Sequence, residues 1–258
     1  MTLHKKTIII TGSSSGLGKA LATKYAAKDT RLFLFGRNKE RLEEVASICK
    51  NYQAEVISII CDVRDKEQIA IHLAEIIKNN KIDILINSAG ISAGTLDKPE
   101  TSQQVEEIFA TNLNGSLNFI LPCMQQMIKN KNGTIVMISS MAGMLGLSSA
   151  PSYSASKAAI KIFGDALRGY LSQFNVQVCV VIPGYIDTPM TQVNKFPMPF
   201  KISANTAAQI IINGINAQKG LIIFPKLTYF MLKLLNLLPY QLIDYINSKL
   251  PGKPGFEE

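Results

Sequence analysis

The sequence predicts a three-layer α/β fold, a doubly wound parallel sheet of about seven strands with helices on both faces. Three observations point to it. Short β-branched runs alternate with longer stretches of helical periodicity, the order that right-handed strand–helix–strand crossovers need. The strand runs are almost wholly apolar, as strands covered on both faces must be. The first of them, residues 6–11 (KTIIIT), ends in a glycine-rich loop that opens a helix.

In chain order, residues 17–28 read as helix, 31–35 (RLFLF) as strand, and 39–50 as a helix with a charged and an apolar face. Strand 56–60 precedes helix 66–78. Strand 83–87 precedes a long helical region from about 102 to 129. Residues 134–139 are the next strand, 152–171 a helix, 176–182 (VQVCVVI) a strand, and 221–224 the seventh strand if it joins the sheet. No linker, repeat or low-complexity segment divides residues 1–225, which therefore form one domain.

A chain of 258 residues buries about three quarters of its unfolded surface, so it needs no metal or disulfide staple. Cys49, Cys61, Cys123 and Cys179 form no C-x-x-C pair; three lie in apolar runs and read as core thiols of a reducing compartment. The net charge of +8 comes from scattered lysines, with no tryptophan and no basic block among aromatics. That excludes a nucleic-acid footprint and leaves an anionic cofactor or a lipid surface as partner. Residues 1–6 are polar and run straight into the first strand, with no room for a signal peptide. No apolar window is long enough for a membrane span. The expected location is cytoplasmic, with peripheral contact at the inner membrane surface as the variant. His4 and His72 have no metal-ligand neighbours, so no metal site is expected, and no carboxylate pair suggests hydrolysis.

The loop after the first strand reads Thr11-Gly12-Ser13-Ser14-Ser15-Gly16-Leu17-Gly18. Glycines let the backbone approach a pyrophosphate, and the following helix N-terminus offers free N–H groups and a partial positive charge. Its place after the first strand makes it a dinucleotide loop rather than a packing turn. Folds of this kind often put an acid about 20 residues further on to hold a ribose 2′-hydroxyl. Here the second strand ends in Phe35-Gly36-Arg37-Asn38-Lys39, with no acid between Arg31 and Lys39. Arg37 would bind a 2′-phosphate through charge-assisted hydrogen bonds, so NADP(H) is expected over NAD(H).

Tyr153 and Lys157 lie four apart at the start of a helix, on one face. An ammonium beside a phenol favours the phenolate and lowers its pKa from about 10. Such a tyrosine can give a proton to a carbonyl oxygen or take one from an alcohol. Thirteen residues upstream, Ser140 follows the carboxyl end of strand 134–139, where parallel sheets bind ligands. It can donate a hydrogen bond to the same oxygen.

Together these motifs resemble the short-chain dehydrogenase/reductase family, in its compact single-domain branch with a Rossmann-type fold. The likeness runs from about Lys6 to Met190. Thr11–Gly18 is similar to the family's T-G-x-x-x-G-x-G loop, which puts Gly12, Ser14, Ser15, Gly16, Leu17 and Gly18 at the cofactor. Asp62-Val63 resembles the pair that contacts the adenine. Asn87-Ser88-Ala89-Gly90 resembles N-N-A-G, with Ser88 in place of the second Asn and Asn87, Ala89 and Gly90 retained. Pro183-Gly184, Ile186 and Thr188 resemble the segment that closes over the nicotinamide. Asn112 matches the Asn at a helix kink that supports a proton path. Ser140, Tyr153 and Lys157 match the catalytic residues, Tyr153 and Lys157 also holding the nicotinamide ribose. Ser15 stands where NADP-preferring members often carry a basic residue, so Arg37 carries that expectation. The resemblance implies hydride transfer between the cofactor and a small-molecule ketone or secondary alcohol, by a homodimer or homotetramer. The alternative is a cofactor-bound scaffold without turnover, and retention of both Tyr153 and Lys157 argues against it.

The carboxyl-terminal third departs from common members. A substrate lid is expected near residues 188–203, where 195–201 read KFPMPFK. That segment is either an apolar lid suited to a 3-oxoacyl, keto-base or steroid type of substrate, or a core-facing loop. Leu227, Phe230, Met231, Leu234, Leu235 and Leu238 fall at helical spacing, flanked by Lys226, Lys233 and Lys249. Residues 226–250 thus read as amphipathic helices, docked on the domain or a subunit or lying in a membrane interface. Residues 251–258 read as a disordered tail.

Overall fold

The computed structural model describes residues 5–96 and 98–255. Along the chain, β1 (Lys6–Thr11), α1 (Gly16–Tyr25), β2 (Thr30–Gly36), α2 (Lys39–Asn51), β3 (Glu55–Ile60), α3 (Lys66–Asn79) and β4 (Ile84–Asn87) alternate. Then come α4 (Ser102–Phe109), a π-helical turn (Ala110–Asn114), α5 (Gly115–Asn130), β5 (Thr134–Ile138), α6 (Pro151–Leu171) and β6 (Gln177–Pro183). Two-residue strands β7 (Ile186–Asp187) and β8 (Ile202–Ser203) flank the short helix α7 (Pro189–Gln192). The chain continues through α8 (Ala204–Asn216), β9 (Leu221–Phe224), α9 (Lys226–Leu235) and α10 (Tyr240–Ser248).

Seven parallel strands form one sheet in the order β3-β2-β1-β4-β5-β6-β9, with β9 completing it as expected. Side chains alternate across a strand. Ile8 and Ile10 of β1 therefore enter one apolar layer, with Leu21 of α1, Leu42 of α2 and Ile211 of α8. Ile9 enters the other, with Leu73 of α3, Phe119 of α5 and Ile160 of α6. This two-sided burial is why the strand reads as an unbroken apolar run. Each buried isoleucine contributes roughly 1.5–3 kcal/mol. β1 pairs with β2 on one side and β4 on the other, so the chain reverses direction across the sheet there. The crevice at that reversal, beyond the carboxyl ends of the strands, is where such sheets bind ligands.

Four segments differ from the sequence reading. The helical region from 102 to 129 is not continuous: the π turn at Ala110–Asn114 separates α4 from α5. α8 was not anticipated, although Ala207, Ala208, Ile211 and Ile215 all face the core. The 195–201 segment is a surface loop, with Phe196 against Tyr185 at 6.2 Å between rings and Phe200 exposed, so the core-facing alternative is set aside. The tail expected to be disordered is instead bonded to the body through residues 251–255. Gly94 N donates to Pro254 O at 2.8 Å, Leu96 N to Lys253 O at 2.9 Å, and Lys253 Nζ to Met190 O at 3.2 Å. Backbone groups that find such partners have no reason to stay solvated. Residues 256–258, the rest of that expected tail, and His4 lie outside the described residues.

α9 docks through Tyr229 and Leu232 onto Met141, Val180 and Ile182. Asn236 Nδ2 donates to Met144 O at 2.7 Å, and Ser148 N donates to Asn247 Oδ1 of α10 at 3.2 Å. All four cysteines are buried and unpaired, Cys61 included. No helix among the described residues is long and apolar enough to cross a membrane.

Candidate active site

The glycine loop and the end of β4 are sewn together. Thr11 Oγ1 accepts from the N–H groups of Ser88 and Ala89, each at 3.1 Å. Gly12 adopts φ +65°, and a Cβ there would lie 2.7 Å from Ala89 Cα. Gly18 faces the Gly12 carbonyl with no room for a side chain, so α1 starts tight against β1. The α1 N-cap, Ser15, makes no side-chain capping bond. The first-turn amides are thus left for an anion.

One cleft gathers most of the sequence-derived residues. Gly12, Ser14, Ser15, Gly16, Leu17 and Gly18 line one wall, and Arg37 and Val63 one end. Ala89, Gly90, Ser140, Tyr153, Lys157, Pro183, Gly184, Ile186 and Thr188 line the rest. Asp62, Asn87 and Asn112 do not line it. The Asp62 carboxylate turns to Arg64, 2.8 Å away, and to Arg37 Nη1 at 3.6 Å. Burial pushes that carboxyl up, but Arg64 and Arg37 together hold it below the usual range. Asn87 is buried behind the cleft, with neither side-chain polar atom partnered. Asn112 sits in the π turn. Its Oδ1 accepts from Ile91 N at 2.8 Å, and its Nδ2 donates to Ile91 O and to Ser156 Oγ, both at 3.0 Å. It therefore ties the Ile91 backbone to the second turn of α6.

α6 carries the tyrosine and lysine, and its start is pinned from several sides. Pro151 occupies the first turn, where a missing N–H costs nothing. Glu100 caps the helix from another segment: its carboxylate accepts from Ser152 Oγ at 2.7 Å and from Ser152 N at 3.1 Å. Ser139 Oγ donates to Lys157 O at 2.7 Å, tying the end of β5 to α6. Lys157 Nζ donates to Ile138 O at 3.0 Å and lies 5.8 Å from the centre of the Tyr153 ring. Ser140 Oγ accepts from Ala142 N at 3.1 Å, and its hydroxyl is hydrogen-bonded with the Tyr153 phenol.

The electrostatics differ from the sequence expectation in one respect. Burial raises the Tyr153 phenol above its ordinary value, and the hydrogen bond with Ser140 pulls it down. Burial also pushes Lys157 down to about 8; among the described residues the Ile138 carbonyl is the one acceptor its ammonium is bonded to. The phenol is therefore raised, not lowered as the spacing of Tyr153 and Lys157 led one to expect, with its own burial the largest cause.

Sequence reasoning missed Arg41 and Glu100. Arg41 lines the cleft one helical turn beyond Arg37, and that i,i+4 spacing was a readable signal. Glu100 left none, because its partner is 52 residues away.

A glycine loop that opens a helix at one end of a switch-point cleft and a Tyr–Ser–Lys group at the other are the arrangement of oxidoreductases built on a nucleotide-binding sheet. The family model described as short chain dehydrogenase matches residues 6–196, and the chain belongs to that family. It is accordingly an oxidoreductase of the CH–OH/C=O pair. An uncharacterized oxidoreductase of Myxococcus xanthus is 29% identical over 246 residues, 95% of this chain and 97% of that protein. The 11-beta-hydroxysteroid dehydrogenase-like 2 of Arabidopsis thaliana is 32% identical over 249 residues, 93% of this chain and 80% of that protein. Among solved structures, a short-chain dehydrogenase from Sphingobium yanoikuyae in complex with NADPH has a TM-score of 0.81 at 21% identity, covering 95% of this chain and 96% of that one. One from Burkholderia phymatum in complex with NAD has a TM-score of 0.83 at 21% identity, covering 100% of both chains. The last third of the chain is thus not the departure from the family that its apolar sequence suggested.

Proposed function

We propose that the protein is an NADP(H)-dependent reductase of an apolar, lipid-like ketone, or the dehydrogenase of the matching secondary alcohol. The observation that carries the proposal is the convergence of Ser140, Tyr153 and Lys157 in the cleft that the glycine loop opens. Tyr153 is the general acid, giving its proton to the carbonyl oxygen in reduction and recovering it in oxidation. Ser140 donates a hydrogen bond to the same oxygen. Lys157 supplies a positive charge beside the phenol and a donor toward a ribose hydroxyl. Asn112 holds the backbone that frames them.

The residues present fit a nicotinamide dinucleotide. The uncapped α1 N-terminus would take the pyrophosphate. Bound there, it would supply the hydride, and the protein position and charge. The 2′-phosphate reading rests on Arg37 and Arg41, two guanidiniums on the cleft wall. Of the two similar structures, one is in complex with NADPH and the other with NAD. Arg37→Ala is therefore expected to lower kcat/KM with NADPH by about tenfold or more while sparing NADH, a loss of roughly 1.5–3 kcal/mol for a charge-assisted bond. Equal loss with both cofactors would contradict the preference.

An apolar substrate is supported by Ile91, Ile186 and Met190 on the cleft wall and by Phe196 against Tyr185 nearby. A homodimer or homotetramer is supported by exposed Leu121 on α5 and Ile162 and Tyr170 on α6. Lys157 gives the reaction a pH signature. Below about 8 it is an ammonium, and above it loses its charge. Tyr153, raised by burial, keeps its proton through that range. For ketone reduction, kcat/KM should fall above about pH 8, about tenfold per unit. A profile flat to pH 10 would detach Lys157 from the reaction.

A further inference from the structure

α9 is apolar on both sides. Tyr229 and Leu232 face the body, on Met141, Val180 and Ile182. The opposite side carries Leu227, Phe230, Met231 and Leu234 at i, i+3, i+4 and i+7, all exposed, with Phe230 at 59% and Leu234 at 66%. A helix apolar all round is buried in a core or set in lipid. The stripe continues past the helix through Leu237 at 80% and Tyr240 at 83%, then Leu242, Tyr245 and Leu250. With Leu238, the last quarter-turns of the chain hold ten of the nineteen exposed large apolar side chains among the described residues.

The charges around this face are predominantly positive. Lys226, Lys233 and Lys249 border it, and Asp244 is the one acid between Lys226 and Leu250. Lys233 Nζ lies 5.0 Å over the Tyr229 ring and Lys249 Nζ 5.7 Å over the Tyr245 ring. A lysine that lays its stem along an aromatic can lift its charge beside an apolar surface. Tyrosines and lysines at the rim of an apolar face match a headgroup layer. A second copy of the chain would instead set Lys226 and Lys233 against one another's positive field.

We infer that α9 and α10 form a monotopic docking surface for an anionic phospholipid bilayer, with Leu227, Phe230, Met231 and Leu234 in the acyl boundary and the lysines on the headgroup phosphates. α9 follows a strand whose end is bonded to the cleft wall. β9 ends at Phe224, Gly184 N donates to Phe224 O at 2.7 Å, and Gly184 lines the cleft. The helix thus starts at the same edge of the sheet as the site, and docking would bring the site's mouth toward the membrane. The inference stands whether or not the substrate is a lipid.

Flotation of the full chain on vesicles of an equal mixture of phosphatidylcholine and phosphatidylglycerol tests it, beside pure phosphatidylcholine vesicles. The protein should float with the anionic vesicles and less with the neutral ones. Phe230→Ser with Leu234→Ser should weaken binding by about tenfold or more. Lys226→Ala and Lys233→Ala should each weaken it about fivefold, with the loss vanishing at high salt. Turnover of a water-soluble ketone should be unchanged in all of them, which separates failure of docking from failure of folding or catalysis. The inference is overturned if the wild-type chain stays unbound on both vesicle types. It is equally overturned if the serine variant binds as well as wild type, or if that variant splits an oligomer while neither protein binds vesicles.

Discussion

Tyr153→Phe is expected to lower turnover by a factor of about 10²–10⁴, with cofactor affinity unchanged. The substitution removes one oxygen and keeps the ring. The ring is what lies 5.8 Å from Lys157 Nζ, so the lysine keeps its neighbour and its bond to Ile138 O. Ser140 keeps its own anchor, the Ala142 N–H. What disappears is the acid, and the loss should fall on kcat and kcat/KM together. Steady-state reduction of a ketone panel, with fluorescence titration of the cofactor, reads both quantities. Activity within a few-fold of wild type would assign the proton to another group.

Gly12→Ala should abolish cofactor binding and lower stability by on the order of 3 kcal/mol. Two independent penalties coincide there. The backbone sits at φ +65°, and the new methyl would lie 2.7 Å from Ala89 Cα and 2.8 Å from Ala89 N. Neither neighbour is a side-chain tip that can swing away. The strand end would have to separate from β4, breaking the bonds that Thr11 Oγ1 accepts from Ser88 and Ala89. Gly169→Ala in α6 is the matched control. Nothing lies within 4 Å of its added Cβ, and helix propensity favours alanine by up to about 1 kcal/mol. Urea unfolding of the two variants should therefore move in opposite directions. A Gly12→Ala protein as stable as wild type would mean the two strand ends can part at little cost.

The sheet was readable because each strand meets apolar layers on both faces. Lys6–Thr11 gave its own bounds from a run of isoleucines. The glycine loop and the tyrosine–lysine pair were readable because their chemistry is local: a turn, then one helical face. The segments that escaped have no local signature. The tail bonds Gly94 and Leu96 through its backbone carbonyls, which any residue carries. Glu100 caps a helix it does not belong to. β7 and β8 are two residues each, shorter than any periodicity can mark. The Tyr153–Lys157 spacing told which groups meet, while the direction of their pKa values depended on how much water the fold removes around them.

The π turn at Ala110–Asn114 has a consequence for the chain's tolerance to length changes. A wider turn places one more residue in the helix than a plain α-helix would hold over the same rise. Losing a single residue there would let the turn close into a plain α-helix with α5 still in phase, whereas gaining one would rotate everything downstream by about 100°. Phe119, Ile120, Cys123 and Met127 of α5 would swing off the sheet, and Asn112 would leave Ile91. The segment behaves as a one-residue slack in the helix: a single-codon deletion can be taken up there with α5 still on the sheet, but a single-codon insertion would throw α5 out of mesh with the core.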